Sequence, residues 1–375
     1  MKFVYCLTLV LITSELSYGM SSFTKASVKF TLNFFRTAYN MDSSKNCVFS
    51  PIAIQRLFTM LHHAARDDVS SQMETLLGLP KNLQSLQNGL NNHALEMITK
   101  VYHSQVELEP HLLPVLQTEH EVDVQALDFS RQEPIVRVVN NWASRFTNGI
   151  VKNVFSTQGL ADDANLVMVN TLTLSASWEN QFNPFFTTQR SFNFINGARE
   201  VDMMRTTDYC RFAEINDLQI VEVFFQKDTN LSMLFIRSKS RPLENVIEKF
   251  DLYTYRLIDE RLSFRHLELE IPKFSISTGL EVKLVLDALG LGAIFSKDAF
   301  EVFADFTSQL SNVYQILRVD INETGTRAAA GTRKVMLMGK RAYPRFAVNG
   351  PFMFLIRKTS SKDIIFIGHY SRRDE

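Results

Sequence analysis

Cysteine is scarce in this chain, with three in 375 residues. Cys6 lies at the extreme N-terminus, which leaves Cys47 and Cys210 for the remainder, too few for a disulfide framework. One bridge between them is formally open, but two buried, separate thiols are the simpler state. Net charge is absent as well, with 40 Lys and Arg against 40 Asp and Glu. Nucleic acids and anionic membranes are bound through a concentrated cationic field, so neither is an expected partner. Beyond the N-terminus no apolar stretch reaches the roughly 18 residues that cross a bilayer. No Pro/Gly/Ser-rich linker, low-complexity tract, charge block or solenoid repeat marks a boundary between domains.

Signatures of catalysis are missing too. The eight histidines form no His-Glu-x-x-His helix and no Cys/His ligand spacing, and adjacent His62 and His63 point to different faces of a helix. No Gly-x-Ser-x-Gly elbow or phosphate-cradling loop occurs, and Gly290-Leu291-Gly292 lacks a third glycine and a preceding strand. The expectation is no enzyme active site, no metal and no cofactor.

What is present begins with Lys2, a largely apolar run from Val4 to Ile12, and Ser17-Tyr18-Gly19, small at both ends. That order is the anatomy of a secretory signal peptide cleaved after Gly19. Its removal takes Lys2 and Glu15 together, so residues 20–375 stay formally neutral and are expected to leave the cell as one unanchored domain. With 45% hydrophobic residues and 30 Phe, that domain can bury a large core.

Val28, Leu32, Phe35 and Tyr39 recur at helical spacing in a stretch free of Gly and Pro. Ser50-Pro51 reads as a cap followed by proline at the first helical position, with Ile54, Leu57, Phe58, Leu61 and Ala65 behind it. A third helix runs from Val136 to Phe146 and stops near Asn148-Gly149. Afterwards the pattern turns to strands at 166–169, 221–225 and 233–236. A further helix spans Glu281 to Leu289, ended by Gly290, and a hairpin joins 352–356 to 364–367 across a polar turn. Helices first and strands later imply a single mixed α+β domain with large antiparallel sheets.

Between the strand ending at Ile321 and those starting at Phe346 lies a segment of about 25 residues without apolar periodicity, and loops of that length are usually functional or disordered. It opens Glu323-Thr324-Gly325-Thr326-Arg327-Ala328-Ala329-Ala330-Gly331-Thr332. An alanine run alone is more often plain helix, but other motifs occur in order along residues 22–370. These are Asn46-Cys47-Val48-Phe49-Ser50-Pro51, Asn170 with Trp178 and Phe182, Met203-Met204, Pro272-Lys273-Phe274, Leu289-Gly290-Leu291, Asn349-Gly350-Pro351-Phe352-Met353-Phe354-Leu355-Ile356 and Ile365-Phe366-Ile367-Gly368. Together they resemble the serpin family of serine protease inhibitors.

The resemblance implies a serpin fold with three β-sheets, about eight or nine helices and an exposed reactive-centre loop at about 323–346 above a five-stranded sheet. In inhibitory members the loop is bait: a serine protease cleaves it, is held as an acyl-enzyme, and is carried along as the loop inserts as a new strand. Alternation from Thr326 would bury Thr326, Ala328, Ala330, Thr332, Lys334, Met336 and Met338. Four small residues lead, and Gly325 offers backbone freedom. Lys334 breaks the pattern, because a buried unpaired ammonium costs several kcal/mol. In the sheet-opening region Ala53 replaces the second serine of Ser-Pro-x-Ser, and Gln315 stands where many members have histidine.

Counted from the hinge the reactive bond follows Gly339, and counted back from Asn349-Gly350-Pro351-Phe352 it follows Lys340. Lys340-Arg341 is preferred, with Arg341-Ala342 as neighbour, because a trypsin-like protease pairs a cation in its primary pocket. The expected partner is therefore a trypsin-like serine protease, met by a monomer. No Lys or Arg lies between Lys81 and Lys100, so no heparin site is evident. Of two glycosylation sequons, Asn230, at a turn-like exposed place, is favoured over Asn322 beside the hinge.

Overall fold

In the computed structural model the described residues are 20–62, 64–79, 92–104, 122–146, 149, 166–297, 299–300, 309–326 and 343–373. Helix α1 (Ser22–Met41) starts where the Ser21 hydroxyl accepts the Thr24 N–H at 2.9 Å, and its Val28, Leu32, Phe35 and Tyr39 stripe is buried. Strand β1 (Cys47–Phe49) leads through Ser50 into α2 (Pro51–His62), followed by α3 (Asp67–Leu76) with Asp67 and Asp68 in its first turn, where the helix dipole favours them. Then come β2 (Leu95–His103), β3 (Asp123–Ala126) and α4 (Gln132–Phe146), with Gly149 beyond it at φ 81°.

The strand-rich remainder contains β4 (Leu166–Leu174), β5 (Thr188–Phe194), β6 (Gly197–Ile215), β7 (Leu218–Phe224) and β8 (Leu231–Ser238). Two short helices, α5 (Leu243–Lys249) and α6 (Leu252–Arg261), precede β9 (Ser263–Pro272) and β10 (Phe274–Glu281). After α7 (Val282–Ala288), stopped by Gly290 at φ 84°, come β11 (Leu310–Ile321), β12 (Arg345–Ala347), β13 (Phe352–Lys358) and β14 (Ile364–Tyr370). The described residues thus hold seven helices, none long and apolar enough to cross a membrane.

Five strands form one sheet in the order β10-β11-β4-β2-β3. The others form a nine-stranded network, β1-β14-β13-β8-β7-β6-β9-β12, with β5 on β6. The 19-residue β6 joins what would otherwise be two sheets: residues 197–203 pair β5, residues 203–212 pair β9 and residues 211–215 pair β7. The pairing is not uniformly antiparallel, as the order of helices and strands had implied. β11 lies parallel to β4, β2 to β3 and β12 to β9. Parallel neighbours need long crossovers, and the chain between β4 and β11 supplies one by building most of the other sheet.

All nine residues of β4 are buried. The main core lies on one face of the five-stranded sheet, while Ile135, Val139 and Ala143 of α4 pack on the opposite face. They meet Tyr102 of β2, Val167 and Val169 of β4, and Tyr314 and Ile316 of β11. Helix α4 therefore straddles the contact between β4 and β11, and burial of Ile135 and Val139 there contributes about 1.5–3 kcal/mol each. Cys210 is buried, Cys47 only half-buried, and both are free thiols.

His369 on β14 is fully buried, its Nδ1 3.0 Å from the Ser371 hydroxyl and its ring edge-on to Tyr39 at 5.0 Å. Burial, reinforced by nearby Arg372, lowers its pKa from 6.5 to about 3. Because the folded value lies below the unfolded one, the unfolded chain takes up this proton first. The neutral imidazole therefore favours the fold fully above pH 6.5, and that contribution is lost progressively as pH falls toward 3. Thermal unfolding of wild type and His369→Phe followed from pH 7.5 to pH 4 will show the variant losing less stability on acidification; parallel curves would refute it.

Candidate functional site

The contact between β4 and β11 carries two polar clusters, one midway along the strands and one at the end of β11. In the first, Gln315 of β11 lies opposite Asn170 of β4. Its Oε1 accepts the Ser50 N–H at 2.7 Å, and its Nε2 donates to the Ser50 carbonyl at 3.0 Å and to Asn170 Oδ1 at 3.4 Å. Asn170 Nδ2 donates in turn to the Thr99 hydroxyl of β2 at 3.0 Å. A buried chain of amides and hydroxyls thus links the start of α2 to three neighbouring strands.

Ser50, Pro51, Ala53, Asn170 and Gln315 were grouped from sequence, and the fold brings them together. Ser50 caps α2 by accepting the Ala53 N–H at 3.3 Å. Ala53 is fully buried and offers only that backbone N–H. Gln315 suits its place because a side-chain amide presents a donor and an acceptor together, matching the paired N–H and C=O of one residue.

The second cluster is the hinge. Beyond Ile321 the chain reverses, with Asn322 N–H donating to the Gly325 carbonyl at 3.0 Å and Gly325 N–H donating back to the Asn322 carbonyl at 3.2 Å. The Asn322 side-chain oxygen accepts the Thr324 N–H at 2.9 Å and the Thr324 hydroxyl at 2.7 Å, an Asx-type turn. Trp178 grips this turn from the end of β4: its backbone N–H donates to Thr324 O and its indole N–H to Asn322 O, both at 2.9 Å. Its ring stacks on Phe225 at 4.5 Å.

Thr326 N–H donates to Ala176 O, and Ala176 N–H to the Thr326 hydroxyl, each at 2.9 Å. The Glu323 carboxylate accepts from the Thr187 hydroxyl at 2.8 Å and pairs with Lys273 at 3.2 Å. Burial opposes its charge, yet a backbone N–H, Thr187 and Lys273 outweigh burial and hold it below the ordinary glutamate range. Gly325 has φ 141°, and a Cβ there would lie 2.1 Å from the Ala176 carbonyl oxygen. Glycine is thus required for space as well as for backbone freedom.

Thr99, Thr187 and Lys273 act here without any sequence signal for these bonds, although Lys273 lies inside the Pro272-Lys273-Phe274 motif. Phe352 is fully buried against Phe235 and Phe274, while Pro351 is half-buried at the entry to β13. The Asn349 carbonyl accepts the Asn193 N–H at 3.0 Å. Asn230 is half-buried rather than openly exposed, at φ 52°, and its amide nitrogen donates to the Ser360 hydroxyl at 2.7 Å. Gly339, Lys340, Arg341, Ala342, Ala328, Ala329, Ala330, Thr332, Lys334 and the segment 1–19 lie outside the described residues.

Gln315→Ala will strand the buried Ser50 N–H at about 1–3 kcal/mol, while the Ser50 C=O keeps the Ile54 N–H at 3.2 Å; the loss is read as a lower urea midpoint with an unchanged slope. Gly325→Ala must detach the hinge from Ala176, so amide exchange at Thr326 and Trp178 will accelerate while β13 and β14 stay protected. Equal exchange in variant and wild type would refute the close approach.

The profile described as Serpin (serine protease inhibitor) matches residues 25–372. The chain is 25% identical over 376 residues to "Leukocyte elastase inhibitor" of Xenopus laevis, covering 94% of this chain and 100% of that one. It is 25% identical over 370 residues to "Plasminogen activator inhibitor 1" of Mus musculus, covering 90% of each. Among solved structures, human thyroxine-binding globulin complexed with thyroxine superposes with TM-score 0.82 at 24% identity, covering 94% of this chain and 99% of that one. With a match over nearly its whole length, and with α+β architecture, sheet order and hinge as described, the chain belongs to the serpin family.

Proposed function

We propose that this chain is a secreted suicide-substrate inhibitor of a trypsin-like serine protease. One observation carries the reading: chain direction at the hinge. After β11 the turn at Asn322–Gly325 reverses the chain, and Thr326 is already hydrogen-bonded to Ala176 beyond the end of β4. At Gly325, bridged to Ser177, the chain thus runs antiparallel to the segment that continues β4, the sense that a strand added between β4 and β11 needs. Insertion would replace one parallel pairing by two antiparallel ones, which are slightly more stable per residue. Ala328, Ala330 and Thr332 next in alternation keep the entering side chains small.

Lys340 serves as the bait cation, with Arg341 as first residue of the released peptide. The protease serine attacks the Lys340 carbonyl, an ester forms, and the amine of Arg341 departs. Insertion then competes with hydrolysis of that ester. Secretion rests on the segment from Lys2 through the apolar run to Gly19, and Asn230 is the preferred glycan acceptor. Residues 20–375 act as a monomeric unit.

A second reading is favoured by the tightness of the Gln315 clamp and by Lys334 on the inserting face: a serpin-fold protein that is cleaved without insertion and serves as decoy, carrier or signal. Incubation with trypsin separates the two. Inhibition gives a denaturant-resistant complex, a released peptide beginning at Arg341 and loss of both in Lys340→Ala. Clean cleavage, with no complex and no rise in melting temperature, would overturn the inhibitory reading and leave the second.

A further inference from the structure

The ladder between β6 and β7 ends at the pair Arg211 and Glu222. Past it the strands part, and a cavity of about 710 Å³ opens between residues 208–210 of β6 and Val223 and Phe224 of β7 with Phe225 just beyond. Small-molecule sites typically enclose about 300–1,000 Å³ with apolar walls and a few convergent polar groups. Its apolar wall is aromatic: Tyr209 stacks on Phe264 at 5.2 Å and 18°, and Phe224 stacks on Phe264 at 6.3 Å and 22°. Tyr209 and Phe264 are each 53% exposed, large apolar surface left uncovered at the mouth.

Opposite in character stands Asp208, 7% exposed. Its Oδ1 accepts the Tyr209 N–H at 2.7 Å and the Asn180 amide at 3.1 Å, while Oδ2 has only the same amide at 3.4 Å. Among the described residues it forms no ion pair. The second carboxylate lining the cavity, Glu179, is already paired with Lys227 at 3.4 Å. Desolvation leads the forces on Asp208 and raises its pKa, and the bonds from Tyr209 and Asn180 together with the nearby His266 do not offset it.

We propose that this cavity is a binding site for an amphipathic aromatic amine, its ammonium on Asp208 and its ring against Tyr209 and Phe264. The ammonium supplies the charge that the site lacks, and an aromatic wall attracts both flat rings and cations. An anionic ligand of the same shape meets Asp208 and Glu179 with the wrong sign. None of its lining residues belongs to the hinge or the loop, and the assignment stands independently of protease inhibition.

Isothermal calorimetry with 2-(1-naphthyl)ethylamine tests it, with 1-naphthylacetate as the anion of similar shape. The amine binds and the acetate does not. Asp208→Asn keeps the acceptor for the Tyr209 N–H yet weakens the amine at least tenfold, and Phe264→Ala, at an exposed position, also weakens it with the melting temperature unchanged. No heat with the amine at millimolar concentration, equal affinity of the acetate, or an Asp208→Asn variant that binds as well as wild type would overturn the assignment.

Discussion

The side-chain amide of Gln315 holds both backbone groups of Ser50 and reaches Asn170, and through it the start of α2 is fixed to the contact between β4 and β11. That contact joins parallel strands separated in the chain by the whole of β5 to β10. β2 continues the network through Thr99, and α4 covers the joint from the other face. Separating β4 from β11 would break a satisfied buried network, and such networks are costly when half-satisfied. Whether the sheet admits another strand is thus a contest between this closure and the pairing gained by an incoming strand.

The hinge is arranged for that contest. Trp178 holds the turn at Asn322 and Thr324 by two donors, Lys273 and Thr187 hold Glu323, and Ala176 holds Thr326. Asn322, Thr324, Gly325 and Thr326 are thus tied to residues 176–178 just past β4 without entering its pairing with β11. Only Gly325 tolerates the approach to Ala176. The same Trp178 ring stacks on Phe225, which also lines the aromatic cavity, so the hinge and that cavity share a wall. A polar latch on one side and an apolar pocket on the other thus meet at one tryptophan.

Much of this was legible in the linear chain. The stripe Val28, Leu32, Phe35, Tyr39 and the Ser50-Pro51 start gave helices where periodicity and capping require them. Continuous apolar runs at 166–169 and 352–356 became strands buried on both faces. β6 was not legible: its first half is largely exposed and polar, so no period-two pattern stands out, and its length follows from pairing with β5, β9 and β7 in turn. Parallel pairing of β4 with β11 was equally invisible, since strand direction depends on how the intervening chain crosses over.

Gln315 shows the division most plainly. From the chain alone it is a departure from a common histidine. In the fold it is a two-ended amide matched to Ser50, because only tertiary structure sets a backbone N–H and C=O of residue 50 opposite residue 315. Motif order, small hinge residues, scarce cysteine and balanced charge were determined by the sequence itself, because they depend on residue identity and spacing. Partnerships such as Glu323 with Lys273, and the unpaired carboxylate of Asp208 beside stacked aromatics, were decided by packing, which joins positions that no local rule relates.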